Sequence, residues 1–169
     1  MNLIDKHQVD IRPATRSDAQ GMIAVKHAAV FNVGAENYPP DQLAHWSGHL
    51  DQAHIKRLEE RVSENSIKFY VVTMEKTVMG YGVLDLETGE IGGPYIRPDH
   101  GREGLATLIL EQLVEDAQEA SLPMVFSEAP ANVVAFFTKH GFESKGPSSK
   151  TLADGEMLDT FRMQQSIAH

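Results

Sequence analysis

The residues of this chain whose types and spacing can do chemistry are a pair of glycines ahead of a helical stretch and a few isolated carboxylates. The glycines stand in IRPDHGREGLATLIL, Ile96–Leu110. Pro98 ends a strand, and Gly101 and Gly104 allow positive φ and close approach of the backbone. A helix opening at about Gly104 turns its free N–H groups and its positive end toward the loop. Such a junction suits a diphosphate held by backbone amides, with Arg102 either adding a charge or pointing to solvent. It is not a Walker loop, which needs Gly-Lys-Ser/Thr, nor the dinucleotide fingerprint Gly-x-Gly-x-x-Gly. An ordinary turn is the competing reading. Among the carboxylates, Glu90 at the start of a strand is the first candidate for a general base, with Glu128 just past the following strand and Asp85 as alternatives. Each is more commonly a structural or solvated carboxylate.

Other chemistries are narrowed by what the sequence lacks. There is no cysteine, so disulfides, thiolate metal sites and a cysteine nucleophile are excluded. His45 and His49 are spaced i, i+4, and His54 follows, but no glutamate sits where a zincin motif requires it, and no metal site is expected. The formal net charge of −9 argues against a nucleic-acid-binding surface, which needs a basic stripe. It is compatible with a cationic substrate, or simply with solubility. No apolar run approaches a membrane span and no signal-peptide core is visible, so a cytoplasmic protein of one domain, residues 1–169, is expected.

The elements that must position these groups can be read from periodicity. VDIRPA is a first short strand. Ser17 and Asp18 can start a helix with Met22, Val25 and Ala29 along one face. GAENYPP breaks it. Asp41 opens a helical segment carrying Leu43, Trp46 and Leu50, which Ile55, Leu58 and Val62 continue to about Asn65. IKFYVVTM and VMGYGVLDLE are β-rich runs on either side of the turn EKT, followed by EIGGPYIRP. Pro94 cannot donate to a ladder, and with Gly92 and Gly93 beside it a bulge or an unpaired edge is expected there. Leu105, Leu108, Ile109, Leu113 and Ala117 form an apolar helix face. PMVFSEA is a buried strand, NVVAFFTKHGF a helix stopped by Gly141, and SSKTLADGEMLDTFRM a hairpin around Asp154-Gly155. The sum is a mixed α/β single layer (α+β by some schemes).

The loop resembles the acetyl-CoA-binding motif of the GNAT N-acetyltransferases, Gln/Arg-x-x-Gly-x-Gly/Ala after a strand. Gly101, Gly104 and Ala106 fall on its three named positions, Gly101 replacing the usual Gln or Arg. The likeness extends along nearly the whole chain: IRPATRSDA is similar to the family's first strand and helix start, SEAPANVVAFFTKHGF to its second motif and DGEMLDTFRM to its closing hairpin. The Tyr38-to-Trp46 region and the FF-x-x-x-GF ending are similar to a branch of bacterial small-molecule acetyltransferases.

The resemblance implies the GNAT acyl-CoA N-acyltransferase fold, a mixed and mostly antiparallel central sheet flanked by helices. It implies acetyl-CoA as cosubstrate, a small-molecule amine as acceptor and a monomer or homodimer. Cofactor contacts are implied for Tyr95, Ile96 and Arg97 on the bulged strand, for Gly101, Arg102, Glu103, Gly104, Leu105, Ala106 and Thr107 in the loop and helix start, and for Asn132 and Phe137. Asn132 is a candidate both for a helix cap and for a cofactor contact, the cap being favoured. Free N–H groups near Tyr95 to Arg97 are the candidate oxyanion site. With no base-and-orienter constellation for an acyl-enzyme, direct attack of the amine on the thioester is the simplest route. Glu90 is the first candidate base. Phe137 occupies the slot where many members carry a thiolate-protonating tyrosine, and Tyr95 is a candidate replacement. Tyr38 and Trp46 are candidates for the acceptor side, although Trp46 also suits the core. The rival functions are a non-enzymatic acyl-CoA-binding or sensing protein and a protein N-terminal or lysine acetyltransferase.

Overall fold

Alternation of side chains along the second strand shows how the layers are built. The structure, a computed structural model, describes residues 9–33, 38–47, 51–98, 104–152 and 154–167. In β2 (Ile67–Met74) Phe69 and Val71 face one apolar cluster while Tyr70, Val72 and Met74 face another, as the period of two requires. β2 pairs antiparallel with β1 (Val9–Pro13) and with β3 (Thr77–Asp85), and β3 pairs antiparallel with β4 (Ile91–Ile96), giving the order β1-β2-β3-β4. The β2–β3 turn is Glu75-Lys76, both at positive φ, the conformation that matches the twist of a two-residue hairpin.

A second antiparallel sheet holds β5 (Met124–Ala129), β7 (Met157–Ser166) and β6 (Glu143–Thr151) in the order β5-β7-β6. Where one continuous layer is expected from sequence, two sheets are found. Among the described residues they meet at a parallel bridge between Glu90 and Phe126, where the Phe126 N–H donates to Gly89 O at 3.0 Å. Past that point β4 and β5 separate, and β4 becomes an edge.

Helices cover both faces. α4 (Leu105–Glu119) places Ile109, Leu113 and Ala117 on the first sheet, with Phe137 of α5 (Val134–Lys139) in the same cluster. α1 (Ala19–Val33) and α3 (Gln52–Val62) cover the opposite face through Met22, Val25 and Leu58. A third cluster, Val30, Tyr38, Leu43, Trp46, Leu152 and Leu158, joins α1 and α2 (Pro40–Ser47) to the β6–β7 hairpin.

Two expected helices differ in detail. The segment read as continuous from Asp41 to Asn65 ends at Ser47 and restarts at Gln52, because the Asp51 carboxylate accepts the His54 N–H at 2.8 Å and caps a new helix. Leu50 and His49 lie outside the described residues. Ser17 and Asp18 belong to a 3-10 turn, Arg16–Asp18, ahead of α1. There the buried Asp18 carboxylate accepts from Arg12 at 2.7 and 2.9 Å and from the Thr15 N–H. These partners, Arg12 first, hold Asp18 below the usual carboxylate range. No helix among the described residues is long and apolar enough to cross a membrane.

Gly80 and Gly82 let α4 and β4 close on β3. A Cβ on Gly82 would lie 2.6 Å from Ile109 Cγ2, and one on Gly80 would lie 2.8 Å from the Tyr95 carbonyl oxygen. The second contact is with backbone, so relief requires β4 itself to move. Gly80→Ala is expected to cost about 1–3 kcal/mol through overpacking. Thermal unfolding of the variant beside the wild type should show a Tm lowered by several degrees. An unchanged Tm would mean that the strand spacing is soft.

Candidate active site

The separation of β4 from β5 opens a cavity of ≈ 240 Å³. Its walls come from β4 (Ile91 to Ile96), from Ser127 and Glu128 of β5, from Asn132, Phe136 and Phe137 near and in α5, and from Ala106 in the first turn of α4. Ala29, Val30, Trp46, Lys150 and Leu158 close the far side.

The expected bulge is present. Tyr81 pairs with Tyr95 and Val83 with Gly92, so Gly93 and Pro94 together oppose Gly82. Gly93 has φ +78, a conformation that favours glycine. Above the bulge the Arg97 N–H donates to Met79 O at 2.9 Å. Alternation in an antiparallel ladder then turns the Ile96 N–H to the open edge, where Ile96 also lines the cavity. Of the expected donors between Tyr95 and Arg97, the Arg97 amide is therefore committed to β3. The Arg97 side chain turns the same way, its Nε donating to Val78 O at 3.1 Å, and it does not line the cavity.

At the helix end, Gly104 is the N-cap of α4 at φ +78, and no atom of the described residues lies within 4 Å of where a Cβ would go. Leu105 is fully buried and belongs to the core rather than to a ligand surface. Ala106 lines the cavity. The Thr107 hydroxyl lies 3.2 Å from His140 Nε2 and ties the first turn of α4 to the end of α5. Gly101, Arg102 and Glu103 lie outside the described residues.

Asn132 is a correction. α5 begins at Val134, and Asn132 sits in a 3-10 turn, Ala131–Val133, with no side-chain cap. Its Oδ1 is buried beside the cavity with no hydrogen-bond partner among the described residues. Buried polar atoms are satisfied in the great majority of cases, so Asn132 is an acceptor that a small side-chain movement could present to a donor in the cavity. Phe137 is 1% exposed and packs edge-on against Phe136 and Phe142 at 5.5 and 5.0 Å. It is a core side chain that shows one face to the cavity, and it has no proton to give.

The carboxylates are also redistributed. Glu90 does not line the cavity, and its Oε2 is held by Lys150 Nζ at 2.9 Å. Asp85 accepts the Glu87 and Thr88 N–H groups and closes the β3–β4 turn. Glu128 lies within β5 rather than beyond it, and its side chain faces the cavity at 12% exposure. Thr160 Oγ1 donates to its Oε2 at 3.1 Å, and Arg162 lies 3.4 Å from its Oε1. Arg162 is itself stacked 3.7 Å over the Phe126 ring. These contacts hold the carboxylate in one orientation and leave a lone pair on each oxygen for another donor.

Trp46 lines the cavity, but Tyr38 does not. The Tyr38 hydroxyl donates to Asp159 O at 2.7 Å and accepts the Ala131 N–H at 2.9 Å, and its ring packs edge-on against Trp46. Burial, the largest influence, pushes its pKa up. Tyr38 thus joins α2, β7 and the turn before α5. Tyr95 lines the cavity, with its ring 5.3 Å from that of Tyr81 and Lys26 Nζ 5.4 Å from its centroid. Sequence reading missed Lys150, Leu158 and Val30. Counting outward from a two-residue turn at Asp154-Gly155 pairs Lys150 with Asp159, whereas the observed partner is Leu158. A slip of one residue turns a side chain to the other face, so the inward placement of Lys150 is not legible from the turn alone.

An unpaired strand edge beside a bulge, a helix N-terminus and a carboxylate on the cavity wall suit a ligand that brings amides, a carbonyl and a diphosphate. Residues 34–163 match the family model described as an acetyltransferase (GNAT) domain. The chain belongs to the GNAT acetyltransferase family, which makes it an N-acetyltransferase with acetyl-CoA as cosubstrate. It is 20% identical over 138 residues to the uncharacterized N-acetyltransferase YafP of Escherichia coli, covering 82% of this chain and 83% of that protein. Its fold is similar to a GCN5-related N-acetyltransferase from Rhodopseudomonas palustris (TM-score 0.82, 20% identity, 99% of each chain). It is similar also to the PaiA N-acetyltransferase of Thermoplasma acidophilum in complex with coenzyme A (TM-score 0.73, 14% identity, 94% of this chain and 99% of that one).

The double bond network of Tyr38 separates a structural from a ligand-binding role. Tyr38→Phe leaves the Ala131 N–H without its hydroxyl and is expected to cost about 1–3 kcal/mol. Thermal unfolding should show the loss while the acceptor KM moves little. A large rise in KM with an unchanged Tm would return Tyr38 to the acceptor site.

Proposed function

We propose that residues 1–169 act as one cytoplasmic domain that transfers acetyl from acetyl-CoA directly to a small-molecule amine, with Glu128 as proton acceptor. The observation that carries this reading is the placement of Glu128, 12% exposed, on the wall of a cavity of ≈ 240 Å³ that Trp46, Val30 and Leu158 also line. A cavity of that volume suits a small acceptor.

The residues present fit an acyl-CoA. The α4 N-terminus at Gly104 offers free N–H groups to the diphosphate. The outward N–H of Ile96 and the unpartnered Asn132 Oδ1 offer a donor and an acceptor to the pantetheine amides and the thioester carbonyl. The amine must attack in its neutral form. Its nitrogen bonds to the carbonyl carbon, the carbonyl oxygen takes negative charge against a β4 N–H, and the proton shed by nitrogen passes to Glu128 directly or through water. Collapse of the intermediate breaks the C–S bond. With phenylalanine at position 137, the departing thiolate takes its proton from Tyr95 or from water. A free thiol has a pKa of about 8.5, so it is a tolerable leaving group near neutral pH without a dedicated acid.

Two measurements test this. Acetyl-CoA at about 100 Kd should raise stability by roughly 2.7 kcal/mol, seen as a thermal shift that ATP does not reproduce; equal shifts from both would remove the CoA-specific site. In a screen of amines read by released CoA thiol, Glu128→Gln should lower kcat by about 10²–10⁴, while Glu90→Gln should lower it far less. The reverse order would return the base to Glu90. Binding of acetyl-CoA with no turnover of any amine would favour a sensing protein.

A further inference from the structure

The charges in the chamber point to a class of acceptor. Among the described residues that line it, Glu128 and Lys150 carry the formal charges, one of each sign. They lie on the same face of the second sheet. Glu128 is the cross-strand partner of Arg162 and Lys150 that of Leu158, and cross-strand partners project to one side. Arg162 and Leu158 are themselves an even number of residues apart on β7, so all four share that side. Between the charges on that face lie Thr160, turned to Glu128, and the buried Leu158, which Val30 and Trp46 cover from α1 and α2.

The two charges are held differently. Glu128 is fixed by Thr160 and Arg162 and is nearly buried, whereas the Lys150–Glu90 pair is 39% and 32% exposed. An exposed pair is worth little, commonly below about 1 kcal/mol, so Lys150 can exchange Glu90 for another carboxylate at small cost. A simple aliphatic amine would leave the ammonium at the chamber unused, and a polyamine would be repelled by it. A ligand with an amine at one end, a carboxylate at the other and an apolar body between them uses every wall.

Resting on the proposed direct transfer, we propose that the acceptor is an amino-acid-like zwitterion with an apolar or aromatic side group. Its amine lies toward Glu128, its carboxylate toward Lys150, and its side group against Trp46, Val30 and Leu158. The reacting atoms balance as in the transfer above: the N–C bond forms, the C–S bond breaks, and one proton leaves nitrogen. The carboxylate takes no part in the chemistry and acts on binding alone.

The test compares phenylalanine, phenethylamine, spermidine and a short peptide with a free N-terminus as acceptors, with acetyl-CoA saturating and CoA thiol as the readout. Phenylalanine is expected to exceed phenethylamine in kcat/KM by at least about tenfold, the scale of one charge-assisted contact. In Lys150→Gln that ratio should fall toward one through KM rather than kcat, and Lys150→Arg should keep most of it. Equal or better turnover of phenethylamine or spermidine by the wild type, or a ratio untouched by Lys150→Gln, overturns the zwitterion and leaves direct transfer to a small amine standing. Preference for the peptide, or no turnover of any of the four while acetyl-CoA still gives its thermal shift, overturns both.

Discussion

The rest of the structure depends on the inability of β4 to pair along its whole length on both sides. The strand pairs with β3 on either side of a bulge at Gly93-Pro94, which adds a residue, strengthens the local twist and inserts a position with no N–H. β5 meets it at Glu90–Phe126 and then departs. An open strand edge is normally a liability, since its donors and acceptors lack partners. Here the edge faces a cavity, so those groups are available to a ligand that brings amides and a carbonyl. In the proposed reading, cofactor recognition and oxyanion stabilisation use this one geometric feature, and the same divergence leaves room for an acceptor on the opposite face.

The acceptor side depends on a different set of contacts. Val30, Tyr38, Leu43, Trp46, Leu152 and Leu158 form a small apolar cluster that holds α1 and α2 against the closing hairpin. Tyr38 fastens it with two backbone hydrogen bonds, to Asp159 and from Ala131. Because Ala131 begins the turn that carries Asn132, the cap of the acceptor chamber and the wall that faces the cofactor are tied through one phenol. A loosening of α2 would therefore be felt on both sides of the thioester.

Local signals were enough for much of this. Pro94 between glycines announced the bulge, Gly104 the helix start, and the alternation in IKFYVVTM the double-faced strand. Family likeness supplied the cofactor. What escaped reading depended on pairing between distant segments. Glu90 and Glu128 look alike as isolated carboxylates at strand ends; only the register of β5 on β7 shows that Glu128 is enclosed with Thr160 and Arg162, and only the reach of Lys150 across the sheet shows that Glu90 is occupied. Asn132 satisfied every local criterion for a cap, yet a 3-10 turn delays α5 to Val134 and leaves the side chain directed elsewhere. Asp51 is the reverse case, a local cap through which the apolar spacing of Leu43, Trp46, Leu50 and Ile55 runs without a break.

Phenylalanine at position 137 fits this division of labour. The side chain is buried among Phe136, Phe142 and the α4 face, where a hydroxyl would have to find a partner or carry a desolvation cost. At the position where the family resemblance implies an acid, this chain therefore has core packing. The chemistry tolerates the exchange because expulsion of a thiolate is the less demanding half of the reaction. The attacking amine must also shed a proton, and the proposed acceptor, Glu128, is a carboxylate fixed by two partners. With Glu128 as the proposed base, a carboxylate held by Thr160 and Arg162 and an apolar Phe137 in the core fit one another: the attacking amine has a proton acceptor, and the thiolate leaves without a dedicated acid.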